Sequence, residues 1–449
     1  MTIVSSWGFP MRSKKAGSEG QIDLFGTSLE DLLDSTHPLF VLADRIDWQR
    51  FETKFGVHFA ESSGRPALPI RLVIGLEYLK YTFNESDESV VAKFVENPYW
   101  QYFCGLEHFT HRLPCHPTSL VKWRARVGMK GCEVMLAETI ALAKRTKLAT
   151  DESLAEVYVD TTVQPKAVAY PRDSRLLDTA RRAVVRAANR LGIKLKQSYV
   201  RLGRRALVAH ARAMHRGEKK LAKKQLKKLR TYLGRVVRDF ERKLTERTAK
   251  TVHLLGVVTK ILEQKRTSKK KIYSVHAPEV GCIAKGKAHV KYEFGSKVSV
   301  ATAVKGSWVV GVNSFASAPF DGHTIPDVLT QIKSVTGSYP KAAYCDRGYQ
   351  GSTGHIFSTH VYVQGKSSKN APPGIKKKLL GRAGIEPVIG HMKQDHRLGR
   401  NFLLGLRGDQ FNAVMAGCGF NMRKLCRAFF LRLFAAFARL ILAPNWAFC

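Results

Sequence analysis

The stretch Lys376–Asn401 sets a single carboxylate among basic residues: Arg382 and Glu386 lie four apart, and Glu386 and Lys393 seven apart. On an α-helix all three project from one face. An acid framed by two bases suits a metal ion beside a phosphate, since carboxylate oxygens ligate a hard cation and the bases take the anion. The same spacing also makes an ordinary solvated ion pair worth little energy. Two acids upstream change that balance. Asp160 follows Leu154–Val159, where Val157 and Val159 mark a short buried strand, and Asp346 closes a second one, Ala342–Cys345. Open α/β sheets place their sites at strand C-termini, although an aspartate there also serves as a turn residue or helix cap. Three carboxylates converging at a sheet edge hold two Mg²⁺ ions roughly 3.5–4 Å apart, one for the attacking oxygen and one for the leaving oxygen. That is phosphoryl-transfer chemistry.

The elements that must position these residues can be read in order. Residues 1–24 are polar and form a loose arm. From 25 to 150 the pattern is helical. Pro69–Phe83 carries a stripe of Leu72, Leu76 and Leu79, and Ser86 starts a helix holding Val90, Val91, Phe94 and Val95. The pair suits a helix-turn-helix and an ordinary helical hairpin equally. The aromatic cluster Asn97–Phe103 suits a core. Ser119–Val127, with Lys122, Arg124 and Arg126, suits either phosphate contacts or a solvated face. After Asp160, residues 175–270 keep helical spacing along Leu177, Ala180, Val184, Ala187 and Leu191, then Leu226, Leu229, Leu233, Val236, Phe240 and Leu244. A hairpin of Tyr292–Val304 and Trp308–Phe315 follows. Next comes a helix over Ile325–Thr336, opened by a Thr324–Asp327 capping box and stopped by Gly337. The Asp346 strand, a further strand at His360–Gln364 and the Glu386 helix complete the order. Pro387 requires that last helix to begin near Glu386 or to kink there. Residues 426–449 form a C-terminal helical tail.

Charge narrows the partners. Lys plus Arg outnumber Asp plus Glu by 74 to 36 in 449 residues, a net charge of +38. Such a chain repels itself unless it meets a polyanion, and nucleic acid is the implied one. Between Arg181 and Lys270 there are 29 Lys or Arg against 5 Asp or Glu, so this segment alone holds well over half the excess. That is too one-sided for a merely solvated face, and phosphate binding is expected of it. No apolar run is long enough to span a bilayer, because Arg423, Lys424, Arg427, Arg432 and Arg439 break the apolar C-terminal stretch. The eight cysteines form no C-x-x-C pair and the N-terminus lacks a signal-peptide pattern, so a reduced, cytoplasmic protein is expected. His391 and His396 have no second pair of ligands to complete a structural zinc site.

The succession of Asp160 strand, helical insertion, hairpin, helix, Asp346 strand, strand and Glu386 helix is that of a ribonuclease-H-like fold. The chain resembles the DDE transposases of bacterial insertion sequences, in the insertion-sequence-five-like branch. The resemblance rests on Gly64–Pro69, Glu96–Gly105, Tyr158–Val163, His276–Glu279, Tyr292–Gly295, Asp321–Thr324, Asp346–Tyr349 and Ile385–His391. It implies an α+β protein: an all-α DNA-binding domain over 25–150, then a ribonuclease-H-like α/β catalytic domain over 151–425, interrupted by the basic helical insertion 175–270. It further implies that Asp160, Asp346 and Glu386 bind two Mg²⁺ ions, with Mn²⁺ able to substitute. Arg382 and Lys393 become the basic members of a tyrosine, arginine, glutamate, lysine signature, in which Leu379 stands at the tyrosine position. The implied activity is cleavage of double-stranded DNA at the element ends and strand transfer into a target, by a homodimer at the bacterial nucleoid. Asp173, Asp321 and Asp395 take structural roles by default, and His323 reads as a helix-entry turn residue. Two other classes stay open: a DNA-binding descendant that has lost cutting, and an RNA-binding protein, which has no need of the three acids in this order.

Overall fold

The computed structural model describes residues 27–59, 66–265, 267–268, 271–284, 292–316, 318–365 and 371–442. The expected arm over 1–24, the end of the expected tail, and Gly64 and Arg65 of the first motif lie outside these residues.

Among the described residues seven strands form one mixed sheet: β1 (Glu156–Pro165), β2 (Gly281–Ala284), β3 (Tyr292–Ala303), β4 (Val309–Phe315), β5 (Ala342–Cys345), β6 (Gly354–Ile356) and β7 (Thr359–Val363). β1 is central. It pairs antiparallel with β3 on one side and parallel with β5 on the other. β5 continues in parallel to β7, and β6 closes that edge as an antiparallel partner of β7. Along its free edge β3 carries β2 opposite Tyr292–Gly295 and β4 opposite Lys297–Thr302. All four residues of β5 are buried, as a parallel strand covered on both faces requires. The hairpin of β3 and β4, the β7 strand and the Ile325–Thr336 helix fall where the sequence pattern puts them, and Gly337 ends that helix at φ +97°.

Two local expectations are corrected. Asp160 does not end its strand: β1 runs on to Pro165 because β3 goes on pairing with it as far as Gly295. Nor does the Thr324–Asp327 capping box form. Residues Asp321–Thr324 wind into a 3₁₀ turn, and the Thr324 hydroxyl donates to the Asp321 carbonyl instead.

The N-terminal helices join the sheet through Thr118–Arg145 and through the long C-terminal helix. Ile70–Thr82 is buried on nearly every side, so it acts as a core helix, and Asp87–Glu96 is started by Ser86 and Ser89 in a capping box. The long Gly405–Leu442 helix lies against Ile70–Thr82, Thr118–Arg145 and β4. It approaches closely because Gly419 has no side chain: a Cβ there would sit 2.4 Å from the Tyr81 carbonyl oxygen. One continuous set of buried residues therefore runs from Leu39 through the sheet to Phe429.

Between β1 and β2 the chain passes through four helices, Asp173–Arg190, Val200–His215, Lys219–Lys243 and Ala249–Glu263. Their apolar seam makes a second, separate core around Leu177, Val184, Leu233, Val236 and Phe240. Leu191, expected in the seam, is 46% exposed just beyond the end of its helix.

Candidate active site

The two strand aspartates meet through sheet register. Val159 faces Cys345 in the last parallel pair of β1 and β5, so the next residues, Asp160 and Asp346, stand side by side where β5 stops. Each is fixed by a backbone donor. The Thr161 amide donates to Asp160 Oδ1 at 2.7 Å, and Asp346, capping the 3₁₀ turn Arg347–Tyr349, accepts from the Gly348 amide at 2.8 Å.

Arg382 lies in a 3₁₀ turn, Arg382–Gly384, between the helices Pro373–Gly381 and Ile385–Asp395. The second helix thus begins one residue before Glu386, as Pro387 at its first turn allows. Arg382 Nη1 donates to Asp160 Oδ2 at 3.1 Å, and its Nη2 lies 3.8 Å from Glu386 Oε1. The guanidinium is 13% exposed, and its Nε is buried without a hydrogen-bond partner. Glu386 is 66% exposed. Burial, then the like charge of Asp346, pushes the Asp160 carboxyl up to about 6, against the pull of Arg382 and the Thr161 amide; Glu386 adds to the rise. This is a pair of acids in one place with more negative charge than the site neutralises.

Sequence spacing did not single out Asp321 for this neighbourhood. A Cβ on Gly348 would meet Asp321 Oδ2 at 2.8 Å and Asp346 Oδ1 at 3.0 Å, so the two carboxylates flank that glycine. Asp321 accepts from the Thr161 hydroxyl at 2.8 Å and from Lys297 Nζ at 2.7 Å. Its place in the Asp-Gly-His-Thr motif was the available signal. Tyr158, two residues before Asp160, brings its hydroxyl to Gly381, where a Cβ would lie 2.7 Å away. A tyrosine oxygen therefore sits beside Gly381, the residue before Arg382, although Leu379, at the signature position, is buried.

Asp160, Asp346, Arg382, Glu386 and Asp321 are thus gathered at the end of β5. Lys393 is half-buried on the same helix as Glu386, about two turns on. Asp395 pairs with His391 at 2.8 Å, and His323 packs edge-on against Phe320. Among the described residues no three His, Cys, Asp or Glu side chains converge enough to hold a metal ion. The carboxylate oxygens present are still the hard donors that Mg²⁺ or Mn²⁺ takes, and the repulsion between Asp160 and Asp346 is what a cation there would relieve.

Residues 27–126 match a family model described as a transposase domain, DUF772. Over 198 residues, which make up 44% of this chain and 95% of the relative, the sequence is 46% identical to the uncharacterized protein ORF8 in the nfe locus of Rhizobium meliloti. No solved structure matches. No helix among the described residues is long and apolar enough to cross a membrane.

Proposed function

We propose, from the premise that this chain belongs to the family of the Rhizobium meliloti ORF8 protein and carries a transposase domain, that it is a DDE transposase. It binds the ends of an insertion sequence, cleaves DNA there and joins the ends to a target. The observation that carries this reading is the side-by-side placement of Asp160 and Asp346 on neighbouring parallel strands, with Arg382 reaching from Asp160 to Glu386. The strand succession β4, β3, β1, β5, β7, antiparallel on one side of β1 and parallel on the other, supports a ribonuclease-H-like catalytic domain. On that reading the four basic helices after β1 are an insertion in it. The eight sequence motifs, from Gly64–Pro69 to Ile385–His391, support the insertion-sequence-five-like branch.

Asp160, Asp346 and Glu386 would hold the Mg²⁺ or Mn²⁺ ions. When bound, these supply Lewis acidity at the attacking and leaving oxygens of the phosphodiester. The chain's own groups do the rest. Arg382 keeps Asp160 ionised by offsetting its burial, and holds Glu386 within reach of the pair. Lys393 binds a DNA phosphate close to the scissile bond. Water cuts the phosphodiester at each element end, and the freed 3′-OH attacks the target in line, with no covalent link to the protein. Two ends handled together require two active sites, so the working form is a homodimer on DNA, inside the bacterial cell.

The test is cleavage of linear duplex DNA carrying the gene's own flanking sequence, with and without Mg²⁺ or Mn²⁺. Metal-dependent nicks at the element boundary that vanish in Asp160→Ala are the expected result. Cleavage retained by Asp160→Ala would sink the triad assignment. Binding without cutting under either metal would favour an inactive DNA-binding descendant.

A further inference from the structure

A cavity of about 620 Å³ opens where three elements meet: the turn after Ile70–Thr82, the C-terminal end of the Ile385–Asp395 helix, and the middle of Gly405–Leu442. The long helix lines it with Arg423, Lys424 and Arg427. These cations are one and four residues apart, and like charges at that spacing repel. Asp395 is the acid on the lining; it pairs with His391 at 2.8 Å and its charge also offsets part of that of Arg423, so the lining keeps a net positive charge. Arg423 lies over the Phe83 ring at 5.4 Å and Lys424 over Trp308 at 4.6 Å. Both contacts hold a cation in place without neutralising it. Arg427 makes no hydrogen bond or ion pair among the described residues. Burial holds Lys424 below its usual range, and no nearby carboxylate offsets that.

The cavity is separate from the aspartate pair. Asp395 follows Glu386 by nine residues, about 13.5 Å along the helix axis and about half a turn around it. A ligand in the cavity therefore lies on the opposite side of this helix from Glu386. The net charge of +38 selects the ligand class, because the polyanion that so basic a chain meets is nucleic acid.

We propose that this cavity binds backbone phosphates of the bound DNA away from the scissile bond. Arg423, Lys424 and Arg427 supply the charge. The site rests on the DNA-binding part of the function proposed above, and it ties the N-terminal helices, the Glu386 helix and the C-terminal helix to one stretch of DNA.

The test uses the full chain in EDTA, so that binding is read without cutting. Affinity for a duplex carrying the flanking sequence is measured by fluorescence anisotropy from 50 to 200 mM salt. Each phosphate that the protein no longer neutralises should flatten the log–log salt slope by about 0.9. Replacing all three cations in Arg423→Gln/Lys424→Gln/Arg427→Gln should therefore shrink the affinity ratio between the two salt concentrations by roughly 40-fold. The single variant Arg427→Gln, which breaks no intramolecular hydrogen bond or ion pair among the described residues, should flatten the slope by about 0.9 with an unchanged melting curve. A control removing three exposed cations elsewhere, Lys54→Gln/Lys130→Gln/Lys305→Gln, should leave the slope nearly as it was. Equal reductions in cavity and control variants would overturn the proposal, since net charge alone would explain them. So would an unchanged slope in the cavity variants together with loss of stabilisation by inorganic phosphate, which would assign the cavity to a free anion. A wild-type chain that binds no DNA would overturn this site and the function together, whereas a chain that binds but never cuts would leave the site standing.

Discussion

Replacing Asp160 with asparagine should stabilise the metal-free chain at neutral pH while removing its chemistry. The Asp160 side chain is 18% exposed, and its carboxyl is pushed from 3.8 to about 6 by burial and then by Asp346. That is roughly two units, which at ~1.36 kcal/mol per unit makes ionised Asp160 a penalty of about 3 kcal/mol. The folded state holds this proton more tightly than the unfolded chain does. Below pH 3.8 both states are protonated and there is no penalty; it grows as pH rises towards 6 and is complete above that. Asparagine keeps the shape and removes the charge, and the shift to about 6 is already net of the pull of Arg382. The expected gain is therefore about 3 kcal/mol at pH 7.5, shrinking to little or none at pH 4. Urea denaturation in EDTA at both pH values, followed by tryptophan fluorescence, reads this difference. A variant whose stability relative to wild type is the same at pH 4 and pH 7.5 would refute the picture of a buried, self-repelling carboxylate pair.

Three further outcomes follow from the packing. Arg124 is 6% exposed and pairs with Glu77 and Asp87, so Arg124→Ala should cost about 3–5 kcal/mol by leaving the fully buried Glu77 charged and unpaired; a loss under about 1 kcal/mol in denaturant titration would contradict that assignment. Gly419→Ala should destabilise by about 1–3 kcal/mol, because the new methyl meets the Tyr81 backbone rather than a movable side chain. An unchanged unfolding midpoint would mean that the helices do not approach so closely. Phe240→Ala should cost the four-helix segment about 3–5 kcal/mol and make residues 173–263 the first target of limited proteolysis, with the sheet still resistant, since the two cores are separate. Simultaneous cleavage in both regions would argue for a single cooperative unit.

The sequence by itself determined the elements whose signals are local. Alternating and continuous apolar runs marked the strands around Asp160 and Asp346, Ser86 and Gly337 marked a helix start and a helix stop, and the seam from Leu177 to Leu244 marked the basic helices. Turn chemistry and side-chain period act over a few residues, so they can be read without the fold. Where β1 ends was not local: its last five residues are strand because β3 continues beside them. Only the tertiary structure decided that Asp160 and Asp346 share a register position, that Arg382 closes on an aspartate 222 residues away, and that Asp321 joins them across Gly348. The same holds for the cavity formed by Thr82, Asp395 and Arg427, which come from three distant segments. Such juxtapositions depend on which faces the whole sheet and its covering helices bury together, and no window of neighbouring residues carries that information.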